Sequence, residues 1–244
     1  MIEVHDLHKA FGPVRAVDGV SFSAADGEIT GLLGPNGAGK TTTLRMLYTL
    51  MSPDRGSVRI DGVDVGAHPA DARRRLGVLP DARGLYDGLS ARENIEYFAD
   101  LQGLTGLARA EQIERLTRAL GMQEIIDRRT KGFSQGERVK CAIARALVHD
   151  PQNVVLDEPT NGLDVMTTRS MRAFLRTLRD RGKCVLFSSH IMQEVAALCD
   201  RIVVIAHGRA VAQGTPDELL AETGRTTLED AFVAIIGSEE GLFT

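Results

Sequence analysis

Residues 34 to 42 read Gly34, Pro35, Asn36, Gly37, Ala38, Gly39, Lys40, Thr41 and Thr42, a full match to G-x-x-x-x-G-K-[ST]. The apolar run Ile29 to Leu33 precedes them, and Leu44, Met46 and Leu47 follow. A strand feeding a glycine-rich turn that opens a helix aims consecutive backbone N–H groups, and the positive end of the helix dipole, at one point. A triphosphate such as ATP can sit there. Gly34, Gly37 and Gly39 let the backbone bend around the anion. Lys40 can then reach the β- and γ-phosphates, and the Thr41 hydroxyl is placed to coordinate a bridging magnesium ion, Mg2+.

A second motif supplies acids. Asn153 to Leu156 is a short apolar run ending in Asp157 and Glu158, the form of a buried parallel strand whose C-terminal end delivers carboxylates to a ligand crevice. Asp157 is expected to hold the metal, directly or through water. Neighbours on a strand point apart, so Glu158 is expected to reach an attacking water instead.

Between the two motifs, Phe133-Ser134-Gln135-Gly136-Glu137-Arg138 precedes a periodic helix over Val139 to Val148. Alone it is a helix start with a serine cap. Placed before Asp157-Glu158, it resembles the LSGGQ signature of ATP-binding cassette (ABC) proteins, and the resemblance extends through almost the whole chain. Asn161-Gly162-Leu163-Asp164 stands where that family has its dimer-contacting D-loop, and His190 where it has its switch histidine. Phe11 matches the aromatic residue that stacks on adenine.

The resemblance implies an ATPase subunit that powers a separately encoded membrane permease. It also implies a head-to-tail homodimer in which Ser134, Gln135, Gly136, Glu137 and Asp164 of one copy complete the nucleotide site of the other. Glu158, His190 and Lys40 would be the catalytic residues, with Thr41, Asp157 and Asp81 at the metal. Asp81 follows Val78-Leu79-Pro80, where the family usually has a glutamine. The segment Asp81 to Asp87 is similar to the sodium-efflux type within the ABC-2 exporter branch, which favours export of sodium or another small solute. A cassette working in translation or DNA repair is the alternative, although translation cassettes usually occur twice in one chain and repair cassettes are interrupted by a long coiled coil. A small-molecule kinase would leave the signature, D-loop and switch histidine unexplained.

The length of 244 residues suits one α/β domain or a core with an inserted subdomain. No stretch approaches the roughly 20 consecutive apolar residues that span a bilayer. Met1-Ile2-Glu3-Val4-His5 opens with strand-like alternation, not a basic-then-apolar leader. These features lead us to expect a cytoplasmic chain, peripheral on the inner face of the membrane. The net charge of −4 offers no global attraction for nucleic acid, and none is expected as a partner. Cys141, Cys184 and Cys199 are widely spaced in apolar sequence and read as reduced thiols.

The patterning predicts a mainly parallel sheet with an antiparallel β edge and an inserted helical subdomain over about 88–148, and the resemblance implies a P-loop NTPase fold of the RecA-like type. Ile2 to Phe11 and Val17 to Phe22 alternate as antiparallel strands, and Val58 to Val65 reads as a hairpin. Ser90-Ala91-Arg92-Glu93 is a capping box. After Glu158, helix and strand alternate at Met166 to Arg179, Cys184 to Ser188, Gln193 to Ala197 and Ile202 to Ala206. The nucleotide-binding domain is expected over 1–218, with a helical tail over 219–244 packing back on it through Leu228, Phe232, Ile235 and Ile236.

Overall fold

The computed structural model describes residues 1–81 and 84–239. Its first half contains β1 (Ile2–Phe11), β2 (Val14–Ala24), β3 (Ile29–Leu33), α1 (Lys40–Leu47), β4 (Arg55–Ile60), β5 (Val63–Asp64), α2 (Pro69–Arg74) and β6 (Leu76–Leu79). The helices α3 (Ala91–Leu101), α4 (Gly106–Ala119) and α5 (Gln135–Leu147) follow. Then come β7 (Asn153–Asp157), α6 (Val165–Asp180), β8 (Cys184–Ser189), α7 (Met192–Leu198), β9 (Arg201–Ala206), β10 (Arg209–Gly214), α8 (Pro216–Thr223) and α9 (Leu228–Glu239).

Two sheets result. The larger has the order β10-β9-β3-β8-β7-β6, parallel except for the edge strand β10; the smaller, β2-β1-β4-β5, is antiparallel. Side chains on the parallel strands alternate between two cores. Leu33, Val154, Leu156, Val185, Phe187, Ile202 and Val204 pack toward the helices α3 to α7. Leu32, Val155, Leu186, Val203 and Ile205 face α1 and the smaller sheet. A strand covered on both sides has no solvent face to mark with polar residues, which is why these segments read as unbroken apolar runs.

The helical insert is anchored where it leaves the sheet. Ser90 Oγ accepts the Glu93 N–H at 3.1 Å while Glu93 Oε2 accepts the Ser90 N–H at 2.7 Å, closing the expected box. One turn on, the buried Asn94 accepts the Tyr86 N–H (2.9 Å) and donates to the Tyr86 and Ser90 carbonyls (3.2 and 2.9 Å). This fastens the strand-to-insert connection to α3.

Several elements differ from the sequence expectations. Helix α5 begins at Gln135 rather than Val139, because Ser134 and Glu137 form a second reciprocal cap. β6 and β10 were not expected as strands. β6 is only four residues long, and β10 follows a two-residue turn, His207-Gly208, with both φ angles positive, the hairpin type matching strand twist. The expected division at 218 falls inside α8; Leu219 is buried within the main core, Ala231 is buried too, and Phe232, Ile235 and Ile236 pack on that core. The last five tail residues, 240–244, lie outside the described residues, as do Ala82 and Arg83 of the segment compared with the sodium-efflux type.

Asn94→Leu is expected to lower unfolding stability by about 1–3 kcal/mol, the cost of leaving the part-buried Tyr86 N–H without its acceptor. Denaturant titration against the parent chain measures it.

Candidate functional site

In a parallel sheet, ligands gather beyond the carboxyl ends of the strands. Here β3, β8, β7 and β6 lie side by side, with Leu33 opposite Ser189, Asp157 opposite Ser188 and Leu79 opposite Leu156. Their C-terminal ends therefore bring the glycine-rich turn, the switch segment, the two acids and Asp81 to one edge. A cavity of about 320 Å³ opens there, lined by Ala16, residues 36–42, Asp81, Glu158, Asn161 and His190.

Close backbone approach shapes the turn. Gly39 has φ +105°, and a Cβ there would stand 2.4 Å from the Ala16 carbonyl oxygen; at Gly34 one would stand 2.1 Å from that of Ile205. Side chains are excluded at both positions. Lys40 is buried, and its ammonium donates to the Gly34 and Pro35 carbonyls at 2.7 and 3.1 Å, with Glu158 Oε1 at 3.7 Å. Burial lowers its pKa, while Glu158 and Asp157 oppose the shift.

The acids are held by a neighbouring strand. Ser188 Oγ donates to Asp157 Oδ1 at 2.6 Å and accepts the Glu158 N–H at 3.0 Å; the Thr41 hydroxyl lies 3.3 Å from the same Asp157 oxygen. Asp157 Oδ2 is buried and has no hydrogen-bond partner among the described residues. A carboxylate with one buried oxygen unpaired and the other 3.3 Å from a threonine hydroxyl suits a hard divalent cation that takes oxygen ligands.

Glu158 corrects one expectation. β7 ends at Asp157, and Glu158 adopts φ +48°, so its side chain reaches the cavity through a left-handed turn and not through strand alternation. Such a backbone costs on the order of 1–3 kcal/mol in a non-glycine residue and persists only where its surroundings enforce it. Its Oε2 lies 2.9 Å from His190 Nδ1.

The remaining expected residues lie elsewhere. Phe11, 48% exposed at the tip of the β1–β2 hairpin, does not line the cavity. Neither do Ser134, Gln135, Gly136 and Glu137 at the start of α5. Asp164 caps α6, accepting the Thr167 N–H at 2.8 Å and its hydroxyl at 2.7 Å, and the backbone bond holds its pKa below the usual range. The signature and D-loop segments pack on each other: a Cβ at Gly136 would meet Thr167 Cγ2 at 3.1 Å, and one at Gly162 would meet Gln135 Cγ at 3.7 Å. Sequence reasoning gave no role to Ser188 or Ala16. Ser188 was visible as a polar residue inside an apolar strand; Ala16 contributes through its backbone and left no sequence signal.

The profile of the ABC transporter family matches residues 17–161. The chain belongs to this family. It is 45% identical over 224 residues to the ABC transporter ATP-binding protein NatA of Bacillus subtilis, covering 90% of this chain and 91% of that protein. It is 39% identical to the Nod factor export ATP-binding protein I of Paraburkholderia xenovorans, covering 93% and 75%. Among solved structures, an ATP-binding subunit of an ABC transporter superposes with a TM-score of 0.89 at 28% identity, covering 97% of this chain and 99% of that one. The chain is thus an ATP-binding and ATP-hydrolysing subunit of an ABC transporter.

Gly39→Ala is expected to weaken ATP binding by about tenfold or more, since a shift of about 1.4 kcal/mol suffices and the added methyl meets backbone. A fluorescent-nucleotide titration reads this directly.

Proposed function

We propose that this subunit drives export of sodium or another small solute through a separate ABC-2-type permease, working as a head-to-tail homodimer on the cytoplasmic face of the membrane. The observation that carries the catalytic part is the convergence of Lys40, Asp157, Glu158 and His190 at one sheet edge. The similarity to NatA supports the export part. The family of transporter ATP-binding subunits supports a separate path for the solute, and among the described residues no helix is long and apolar enough to cross a membrane.

The residues define the reaction. Lys40 now satisfies its ammonium on the Gly34 and Pro35 carbonyls, and the phosphates of ATP offer a stronger, charged acceptor for the same donor. Thr41 and Asp157 would hold Mg2+, which neutralises charge on the phosphate oxygens when bound. Glu158 orients and deprotonates the water that attacks the γ-phosphorus, and His190 keeps that carboxylate turned into the cavity. Asp81 lines the same cavity and supplies a carboxylate toward the metal or its water shell. Phe11, exposed and unburied by its own chain, offers a face on which adenine can stack.

Residues 134–137 lie outside the cavity, which supports their service to a second copy. The start of α5 presents backbone donors and a helix N-terminus, suited to the phosphates held by a partner. Asp164 acts in that contact through the D-loop shape that its cap fixes. A solved bacterial ABC transporter cassette is dimeric and aligns with a TM-score of 0.81 at 25% identity, covering 88% of this chain and 98% of that one.

The sheet-to-insert connection suits the permease. Leu85 is buried at 8% exposure and belongs to the core, whereas Tyr86 is 48% exposed and stacks edge-on against the exposed Tyr97 at 5.5 Å. Nearby, a separate apolar cavity of about 390 Å³ is lined by residues including Leu50, Val78, Pro80 and Phe98. An amphipathic helix of the permease fits such a surface.

Glu158→Gln is expected to retain ATP binding and to lose hydrolysis by about 10² to 10⁴. Light scattering should show that this variant dimerises with ATP. A monomer under saturating Mg2+-ATP, with permease also present, would count against the paired arrangement. Tyr86→Ala should leave basal ATPase and melting temperature near the parent and weaken permease-stimulated turnover by about tenfold, the effect of a truncated interface anchor. Loss of basal activity and stability together would make Tyr86 a packing residue.

A further inference from the structure

Ser188 sits in the middle of the parallel sheet with no solvent exposure, at a place where every neighbour on β8 except Ser189 is apolar. A hydroxyl there is costly to bury unless it is fully used. It is: Oγ gives its hydrogen to Asp157 Oδ1 at 2.6 Å and takes the Glu158 N–H at 3.0 Å. One atom thus holds two successive acids, from a strand that lies directly beside theirs in register.

Both bonds bear on the reacting geometry. By donating to Oδ1, Ser188 fixes the rotation of the Asp157 carboxylate, holding Oδ1 3.3 Å from the Thr41 hydroxyl and Oδ2 buried without a hydrogen-bond partner among the described residues. By accepting the Glu158 N–H, it helps hold that residue at φ +48°, the turn that carries its carboxylate to His190 and toward Lys40. The adjacent Ser189 serves another contact, donating to the buried Glu194 at 3.1 Å and accepting the Ile191 N–H at 3.0 Å. It cannot replace Ser188 at the acids.

We propose that Ser188 is a positioning residue for ATP hydrolysis, setting Asp157 toward the metal and Glu158 toward the attacking water through a single hydroxyl. The inference rests on the roles proposed for those two acids. It predicts a loss in turnover rather than in nucleotide binding, because the glycine-rich turn and Lys40 do not depend on Ser188. Groups that orient metal ligands from behind typically affect activity or metal affinity by about 10- to 100-fold.

The test is steady-state ATPase of the full chain for Ser188→Ala, Ser188→Thr and Glu158→Gln, with Mg2+ titrations and melting temperatures. Ser188→Ala should lower kcat by about 10- to 100-fold, keep the KM for ATP within about threefold and shift Mg2+ activation to higher concentration. Ser188→Thr, which restores the hydroxyl on a strand that tolerates β-branching, should recover most of the lost kcat. Turnover of Ser188→Ala within about threefold of the parent, or a joint fall of kcat, ATP affinity and melting temperature, overturns the assignment. Failure of Ser188→Thr to recover kcat while it melts like the parent also overturns it. Glu158→Gln separates this from the broader reading: turnover retained there removes Glu158 as the base, whereas turnover lost there and kept in Ser188→Ala removes only Ser188.

Discussion

The parallel sheet buried on both faces is the constraint on which the rest of the molecule depends. Its strands β3, β7, β8 and β9 have no solvent side, so each face needs its own cover: helices α3 to α7 on one, α1 and the antiparallel sheet on the other. Parallel pairing forces every strand to end at the same edge. Chemistry collects at that edge because it is where chains leave the sheet, free of ladder hydrogen bonds and open to ligand.

Within that frame, the site is built from groups that are uncomfortable without their ligand. Lys40 is buried with only carbonyls and a more distant carboxylate for company, Asp157 keeps an unpaired buried oxygen, and Glu158 holds a left-handed backbone. Such arrangements survive because the surrounding strands over-determine them. The triphosphate and cation proposed for this site would relieve the first two, which would make binding and the order of the turn mutually supporting. The helical insert answers a different need. It hangs from the sheet edge through Asn94 and the Ser90–Glu93 cap, and carries the exposed Tyr86–Tyr97 pair beside the connection that bears Asp81.

Motif residues whose role is local chemistry were legible from the chain alone. The turn 34–42, Asp157 with its preceding apolar run, the Ser90 capping box and the strand-helix alternation after Glu158 each carry their physical reason within a few residues. β6 and β10 were not read, since four apolar residues cannot be told from a loop by periodicity and an edge hairpin depends on its partner. The path of Glu158 was misread: period-2 alternation holds only while a strand continues, and this one stops at Asp157.

What the sequence by itself determined is the family, the phosphate turn, the acids and the layered α/β class, because these rest on residue identity, spacing and hydrophobic period. Only the tertiary structure decided that Ser188 holds both acids, that Ala16 walls the turn and that Leu85 is core while its neighbour Tyr86 is surface. These depend on contacts between segments far apart in the chain, such as Asp157 and Ser188, 31 positions apart. Pairing across such distances is fixed by register and packing, which no local pattern encodes.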